Sequence, residues 1–311
     1  MKDNYLRVGT SYFKKSLYPT LSGDRIEILL PWSPELIRQD HGKNALSEME
    51  TFDGFICFPE NRLEFYLKNH QGYYNTYHSL SKNPIEGDIT NTKKFITHIF
   101  GEQTEIGFDY LQLLYLKPTQ ILPILCLVSK ERATGKSTFL KWLKEIFEYN
   151  LTYLTNDSFS SNFNADWASK LLICIDEVLF QTEILTERIK YLSTTNVNKI
   201  EAKGKDRKEI EFFGKFILCS NNETSFIKID ADEIRFWVRK IDSYEKEDVH
   251  FLSKLIKEIP AFLYFLSKRQ LSTENKSRMW FTPHQIKTKA LQKLVKFNCN
   301  KLESELAHVL I

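Results

Sequence analysis

The sequence predicts an α/β chain built on a parallel sheet with flanking helices, a small α+β unit ahead of it and a helical region behind. Three apolar runs predict it. Ile121–Ser129 (ILPILCLVS) is nearly continuous in hydrophobic residues, as expected of a parallel strand covered on both faces. Leu171–Asp176 (LLICID) and Phe213–Ser220 (FGKFILCS) repeat the pattern further along. Helical stretches from about Lys136 to Tyr149 and around 181–193 lie between them, and strand–helix alternation argues for a layered α/β core.

The remaining elements are read in chain order. YLRVGTSYF and RIEILLPW predict two strands, joined through the turn residues Ser22-Gly23-Asp24. Pro31-Trp32-Ser33-Pro34 opens a short helix, and residues 73–88 (YYNTYHSLSKNPIEGD) read as loop. From Thr92 the pattern turns helical: Phe95, Ile96, Ile99 and Phe100 share one face, and Tyr110, Leu111, Leu113, Leu114 and Leu116 continue it. HFLSKLIKEIPAFLYFLSKR and QIKTKALQKLVKF predict helices near the end, the first broken or kinked by Pro260. The expected organisation is an accessory α+β module at 1–90, a helical lead-in or collar at 91–118, the core at 119–243 and a helical region at 244–311.

Composition narrows the classes. A hydrophobic content of 42% over 311 residues supplies a real core, and the longest apolar run, Ile121–Val128, is too short to span a bilayer. No membrane partner is expected. A net charge of +3 means that any nucleic-acid contact must come from a local patch. The five cysteines form no C-x-x-C pair, and the histidines show no ligand spacing, so a zinc or redox site is not suggested. The N-terminus has no apolar signal core, and the expected compartment is a reducing cytoplasm.

The strongest local signal is Ala133-Thr134-Gly135-Lys136-Ser137-Thr138, which follows an apolar strand and opens an amphipathic helix. Backbone N–H groups at a helix N-terminus point at a phosphate, and the helix dipole favours its charge. Here Lys136 would reach the β- and γ-phosphates of ATP, and the Ser137 hydroxyl would hold Mg2+. The pattern G-x-x-x-x-G-K-[ST] has one departure: Lys130 stands where the first Gly belongs, which puts the opening turn of the loop in question.

Downstream, the strand LLICI ends in Asp176-Glu177. Asp176 is the expected Mg2+ ligand, directly or through water, and Glu177 the general base that activates the attacking water. The next apolar strand ends in Ser220-Asn221-Asn222, where an Asn can hold the lytic water or touch the γ-phosphate; Asn221 is preferred over Asn222. In Asp230–Arg239 (DADEIRFWVR), Arg235 is the first candidate and Arg239 the second for an arginine finger supplied to a neighbouring subunit.

In the order ATGKST, LLICIDE, KGKDRKE, FILCSNN, DEIRFWVR, these motifs resemble superfamily 3 helicases, a branch of the AAA+ ATPases. The nearest likeness is to primase-helicase type proteins of phages, plasmids and integrated elements. The specific motifs run from Lys130 to Arg239, and less specific likeness extends to both sides. The resemblance implies a hexameric homo-oligomeric ring with ATP between subunits, movement on single-stranded DNA, unwinding of duplex, and residence in the cytoplasm of a bacterial host. It also implies a hairpin loop in the ring channel at Glu201–Lys208, with Lys203, Lys205 and Arg207 on DNA phosphates. A few basic residues around a Gly between two short strand-like runs suit that task. No primase is visible in the N-terminal unit, which leaves room for a separate primase or polymerase as partner.

Two other readings stay open at this point. One is an ATP-switched loader or scaffold for replication proteins, with little unwinding. The other is a small-molecule phosphotransferase on the same loop, which the Asp-Glu pair and the arginines at 235 and 239 disfavour.

Overall fold

The structure, a computed structural model, describes residues 4–19, 25–180, 182–201, 207–230, 233–244 and 248–309. The chain divides into two compact units. The first comprises residues 1–58 and 66–78, the second 59–65 and 79–311.

The first unit is mostly sheet. Strands β1 (Tyr5–Val8), β2 (Ser11–Pro19), β3 (Arg25–Pro31) and β4 (Glu50–Phe52) are ordered β3-β2-β1-β4. The stretch YLRVGTSYF, expected as one strand, is a hairpin. Gly9 adopts φ 57°, and the chain reverses so that Val8 faces Ser11. Helix α1 (Pro34–His41) has Pro at its start, and the Ser33 side chain accepts from the Glu35 N–H at 3.2 Å. Three short strands, β5 (Phe55–Ile56), β6 (Asn69–His70) and β7 (Tyr73–Asn75), form a second sheet, so the expected loop begins with a strand. Leu6, Val8, Phe52 and Tyr74 make one small core of the unit, and Tyr5, Ile37 and Met49 another. The turn at Ser22-Gly23-Asp24 lies outside the described residues.

The second unit opens with α2 (Thr90–Phe100) and α3 (Thr104–Leu116). Buried residues of α3 run all round it, from Gly107 to Tyr115, so it is an interior helix. Five strands follow: β8 (Ile124–Val128), β9 (Leu151–Leu154), β10 (Leu172–Ile175), β13 (Lys215–Ser220) and β14 (Phe236–Lys240). They form one sheet in the order β14-β8-β13-β10-β9, every pair parallel. Helix α4 (Lys136–Phe147) leads from β8 to β9, the short α5 (Asn156–Ser160) follows β9, and α6 (Glu183–Leu192) follows β10. Between α6 and β13 stands an antiparallel hairpin of β11 (Val197–Ile200) and β12 (Lys208–Glu211).

The apolar runs explain the sheet. Residues 124–128 and 172–175 are buried throughout, with no solvated face, as a sheet covered by helices requires. Cys126, Cys174 and Cys219 lie buried and unpaired within it as small apolar side chains.

Two helices close the chain, α7 (Phe251–Lys268) and α8 (Lys289–Val309). Of the break or kink expected at Pro260, the break does not occur: α7 runs through it. Tertiary contacts hold the turn that the missing N–H weakens. The Pro260 carbonyl accepts from Ile85 N–H at 3.1 Å, and Glu258 accepts from Thr92 N–H and its hydroxyl at 2.7 Å each. Ile259, Phe262, Leu263 and Leu266 are buried around them. Among the described residues no helix is long and apolar enough to cross a membrane.

Candidate functional site

Because the five strands are parallel, the carboxyl ends of β8, β10 and β13 lie on one edge. The chain leaves β8 toward β9 at one border of the sheet and returns to β14 on the other side of β8. That reversal makes the carboxyl end of β8 a topological switch point, the crevice where open α/β sheets take ligands. The segment 129–135, Asp176-Glu177 and Asn221 all emerge on this edge.

The loop after β8 is held by main-chain and side-chain bonds. Ser129 N–H donates to the Ser220 carbonyl at 3.2 Å, and the Ser129 hydroxyl to the Glu131 carbonyl at 2.7 Å. Positive φ falls on Ala133 (54°) and Gly135 (91°) and not on Lys130. Lys130 thus holds no left-handed backbone angle of the kind for which Gly would be required. Gly135 is needed for two reasons. Its φ is left-handed, and a Cβ there would meet Tyr244 Cε2 at 3.2 Å and Phe95 Cε2 at 3.3 Å.

Helix α4 begins directly after Gly135, with no side chain capping its first amides. Those amides remain available for an anion. Thr134 and Lys136 are buried, and Lys136 Nζ donates to Thr134 Oγ1 at 3.2 Å. Burial pulls the Lys136 ammonium below its usual range, while the nearby Asp176 carboxylate acts in the opposite sense. Thr138, half-buried, stands on the first turn of α4.

Ser137 Oγ donates to Asp176 Oδ2 at 3.2 Å. A hydroxyl and a carboxylate in contact across the crevice form a hard-oxygen pair. Magnesium takes such a pair together with phosphate oxygens and water. No cluster of three His, Cys, Asp or Glu that would hold a metal by itself occurs among the described residues.

Glu177 follows with φ 57°, a left-handed backbone at a residue with a full side chain. Its N–H donates to Asp176 Oδ1 at 3.1 Å, and its carbonyl accepts from Asn156 Nδ2 at 3.2 Å. Asn156 Oδ1 in turn accepts from Leu179 N–H at 3.1 Å, so one amide brackets the tight turn after β10. Both carboxylates are exposed. Asn156 was not singled out by sequence; its one signal is an Asn placed directly beyond a strand and a capping Thr.

The two asparagines separate clearly. Asn222 Oδ1 accepts from Thr224 N–H at 3.0 Å and Ser225 N–H at 2.9 Å, and its amide donates to Ser225 Oγ at 2.5 Å. It builds the turn. Asn221 is exposed at the strand tip, free of such ties.

The two arginines separate as well. Arg235 precedes β14, and its carbonyl accepts from Ile124 N–H at 2.8 Å, at the amino end of β8. The loop at 129–135 leaves the other end of that strand, about 15 Å away at the usual rise per residue. Arg235 is thus turned away from its own chain's crevice. Its guanidinium rests on Glu233 at 2.9 and 3.0 Å and is partly exposed. Arg239 is buried, donating to Glu102 Oε1 at 2.7 Å and Gln103 Oε1 at 2.9 Å, beside the Trp237 indole that shares Gln103. It braces the sheet against the turn between α2 and α3.

The β11–β12 hairpin stands where a projecting loop was expected. Lys203 and Lys205, which fall between its two strands in sequence, lie outside the described residues. Arg207 is described: it is exposed and paired with Glu201 through Nε at 2.8 Å.

Two further residues flank the loop. His98 Nε2 lies 3.0 Å from the Thr134 carbonyl, and its ring stacks on Tyr244 with centroids 3.9 Å apart. Lone aromatic residues in a chain rich in aromatics carry no signal that would have revealed them.

A family described as of unknown function, DUF5906, matches residues 127–239, the span from the middle of β8 to the end of β14. No curated protein matches the chain. Two apo structures of the C-terminal region of NrS-1 superpose well. One, of residues 305–718, has TM-score 0.71 at 16% identity and the other TM-score 0.72 at 17%; each covers 94% of this chain and 71% of the other. The chain therefore shares the fold of that region. JCV Helicase is similar over 70% of this chain and 62% of its own, at 12% identity and TM-score 0.36, too low to bear on the fold.

Proposed function

We propose that this chain is an ATP-dependent DNA helicase or translocase of the superfamily 3 type, an AAA+ ATPase acting in replication of a phage or mobile element. The observation that carries the reading is the contact of Ser137 with Asp176, 3.2 Å apart, beside Glu177 and below the uncapped start of α4. Hydroxyl, paired acids, buried lysine and exposed Asn221 meet at one strand edge, as phosphoryl transfer to water demands.

The roles follow from chemistry. Backbone amides of Ala133, Thr134, Gly135, Lys136, Ser137 and Thr138 would cradle the phosphates, with Lys136 Nζ as the fixed positive charge. Ser137 and Asp176 would hold Mg2+, which when bound offsets charge on the phosphate oxygens. Glu177 takes a proton from the attacking water, and Asn221 orients that water from the neighbouring strand tip. Arg235, turned away from its own crevice, acts in trans in a ring of subunits, hexameric by the family resemblance. The hairpin tip, with Lys203, Lys205 and Arg207, tracks the phosphates of single-stranded DNA.

Strand displacement tests this reading. With a forked duplex, ATP and magnesium, the protein releases the displaced strand, and Glu177→Gln does not. DNA-stimulated ATP turnover with no displacement on any fork polarity would favour the alternative, an ATP-switched loader for replication proteins.

A further inference from the structure

One buried carboxylate beside the loop has no part in the chemistry above. Glu223 is 5% exposed, and its two oxygens face three different elements. Oε1 accepts from the Lys130 N–H at 3.3 Å. Oε2 accepts from Lys293 Nζ, on α8, at 3.0 Å. Lys240 Nζ, at the end of β14, lies 3.7 Å from Oε1.

The place of that first bond is informative. The β8–β13 ladder ends at Val128 and Ser220, and Ser129 N–H still reaches the Ser220 carbonyl. Lys130 N–H is the next amide, the first with no strand to pair with, and Glu223 receives it. The turn built by Asn222 holds the backbone on the far side of Glu223, through the amides of Thr224 and Ser225. The carboxylate is therefore set from β13 and aimed at the start of the loop. Burial pushes the Glu223 carboxyl up, but the Lys293 hydrogen bond and the charges of Lys240 and Lys293 outweigh it, so the group stays ionised at neutral pH.

We infer that Glu223 is a positioning residue for the nucleotide loop: it fixes the loop's first turn through the Lys130 amide and ties that turn to α8 through Lys293. Such a tie holds the start of a loop that carries Lys where the motif has its first Gly. It also gives the C-terminal helix a direct mechanical hold on the loop. The inference rests on the ATP-site reading above.

The test measures binding of a fluorescent ATP analogue with magnesium to the full chain, alongside thermal unfolding. Four proteins are compared: wild type, Glu223→Ala, Glu223→Gln and Lys293→Ala. Glu223→Ala is expected to bind tenfold or more weakly. Glu223→Gln keeps an oxygen for the Lys130 amide and is expected within about threefold of wild type. Lys293→Ala, at a half-exposed position, is expected to weaken binding about two- to fivefold with little change in melting temperature. A purely structural role predicts lower melting temperatures with unchanged affinity in the folded proteins, and that result overturns the inference. If Glu223→Ala does not fold, unchanged affinity in Lys293→Ala overturns the tie to α8, and loss in Glu223→Gln equal to loss of the nucleotide site overturns the amide-acceptor role. Failure of wild type itself to bind the analogue would instead overturn the ATP-site reading, and this inference with it.

Discussion

Replacing Glu177 by Gln isolates the proton transfer from everything else at the site. The carboxylate is exposed at a strand tip, and the bonds that hold its turn come from the backbone and from Asn156 and Asp176. Gln keeps the length and those backbone bonds, so stability is expected to stay within about 0.5 kcal/mol of wild type. Loss of a general base costs roughly 10²–10⁴ in rate, about 3–5 kcal/mol of barrier. Glu177→Gly supplies the complement. Residue 177 sits at φ 57°, where a side chain costs about 1 kcal/mol that Gly does not. The Gly variant should therefore unfold at higher urea than wild type, by about 1 kcal/mol, while losing the same activity. Phosphate release and urea unfolding, measured on all three proteins, read both effects. Turnover of Glu177→Gln within threefold of wild type would refute the assignment of the base. A Gly variant less stable than wild type would refute the argument that the site stores backbone strain.

Other outcomes follow from the same geometry. Arg235→Ala should bind ATP like wild type but turn it over at least a hundredfold more slowly, and mixing it with Glu177→Gln subunits should restore part of the rate if the guanidinium acts across an interface; no recovery at any mixing ratio would contradict action in trans. Lys203→Ala with Lys205→Ala should lower the salt dependence of single-stranded DNA binding, by roughly 1.4 in the slope of log K against log salt. An unchanged slope would remove the hairpin from the DNA path. Lys215 is fully buried, with Nζ donating to the Phe213 carbonyl at 2.6 Å and to the Pro118 carbonyl, and burial lowers its pKa to about 7. Above pH 7 the folded chain has released this proton while the unfolded chain keeps it up to about 10.4, so stability rises with pH across that window, by about 1 kcal/mol per unit. Urea midpoints at pH 7, 8 and 9 should climb more steeply in wild type than in Lys215→Met; parallel curves would contradict it.

The parts of the fold that were legible are those where burial writes itself as uninterrupted hydrophobicity. ILPILCLVS, LLICID and FGKFILCS became β8, β10 and β13 because strands covered on both faces admit no polar alternation. The border strand β9 escaped notice: LTYL is short and half solvated, with Thr152 only partly buried and Tyr153 exposed. Gly9 gave a hint of the hairpin that YLRVGTSYF conceals, but a Gly inside a strand-like run equally suits a bulge. Pro260 shows the reverse error, a strong local breaker overridden by packing of α7 on α2 through Glu258.

At the site, Asp176-Glu177 and Asn221 follow β10 and β13 directly, and parallel strands deliver those ends to one edge. Sequence could not separate Arg235 from Arg239, since both lie within a few residues of the Asp232-Glu233 pair on one short stretch. Only burial on Glu102 and Gln103 does so. Glu223, His98 and Asn156 stayed invisible for a related reason: each acts through contacts to residues distant in sequence, and no spacing records such contacts.

The measurement that bears most directly on the whole account is the ATP hydrolysis rate of wild type and Lys136→Ala, each with and without single-stranded DNA. Wild type is expected to show turnover that DNA stimulates, and Lys136→Ala to show none under either condition. Equal turnover by the two proteins, or none by wild type with DNA and magnesium present, would contradict it.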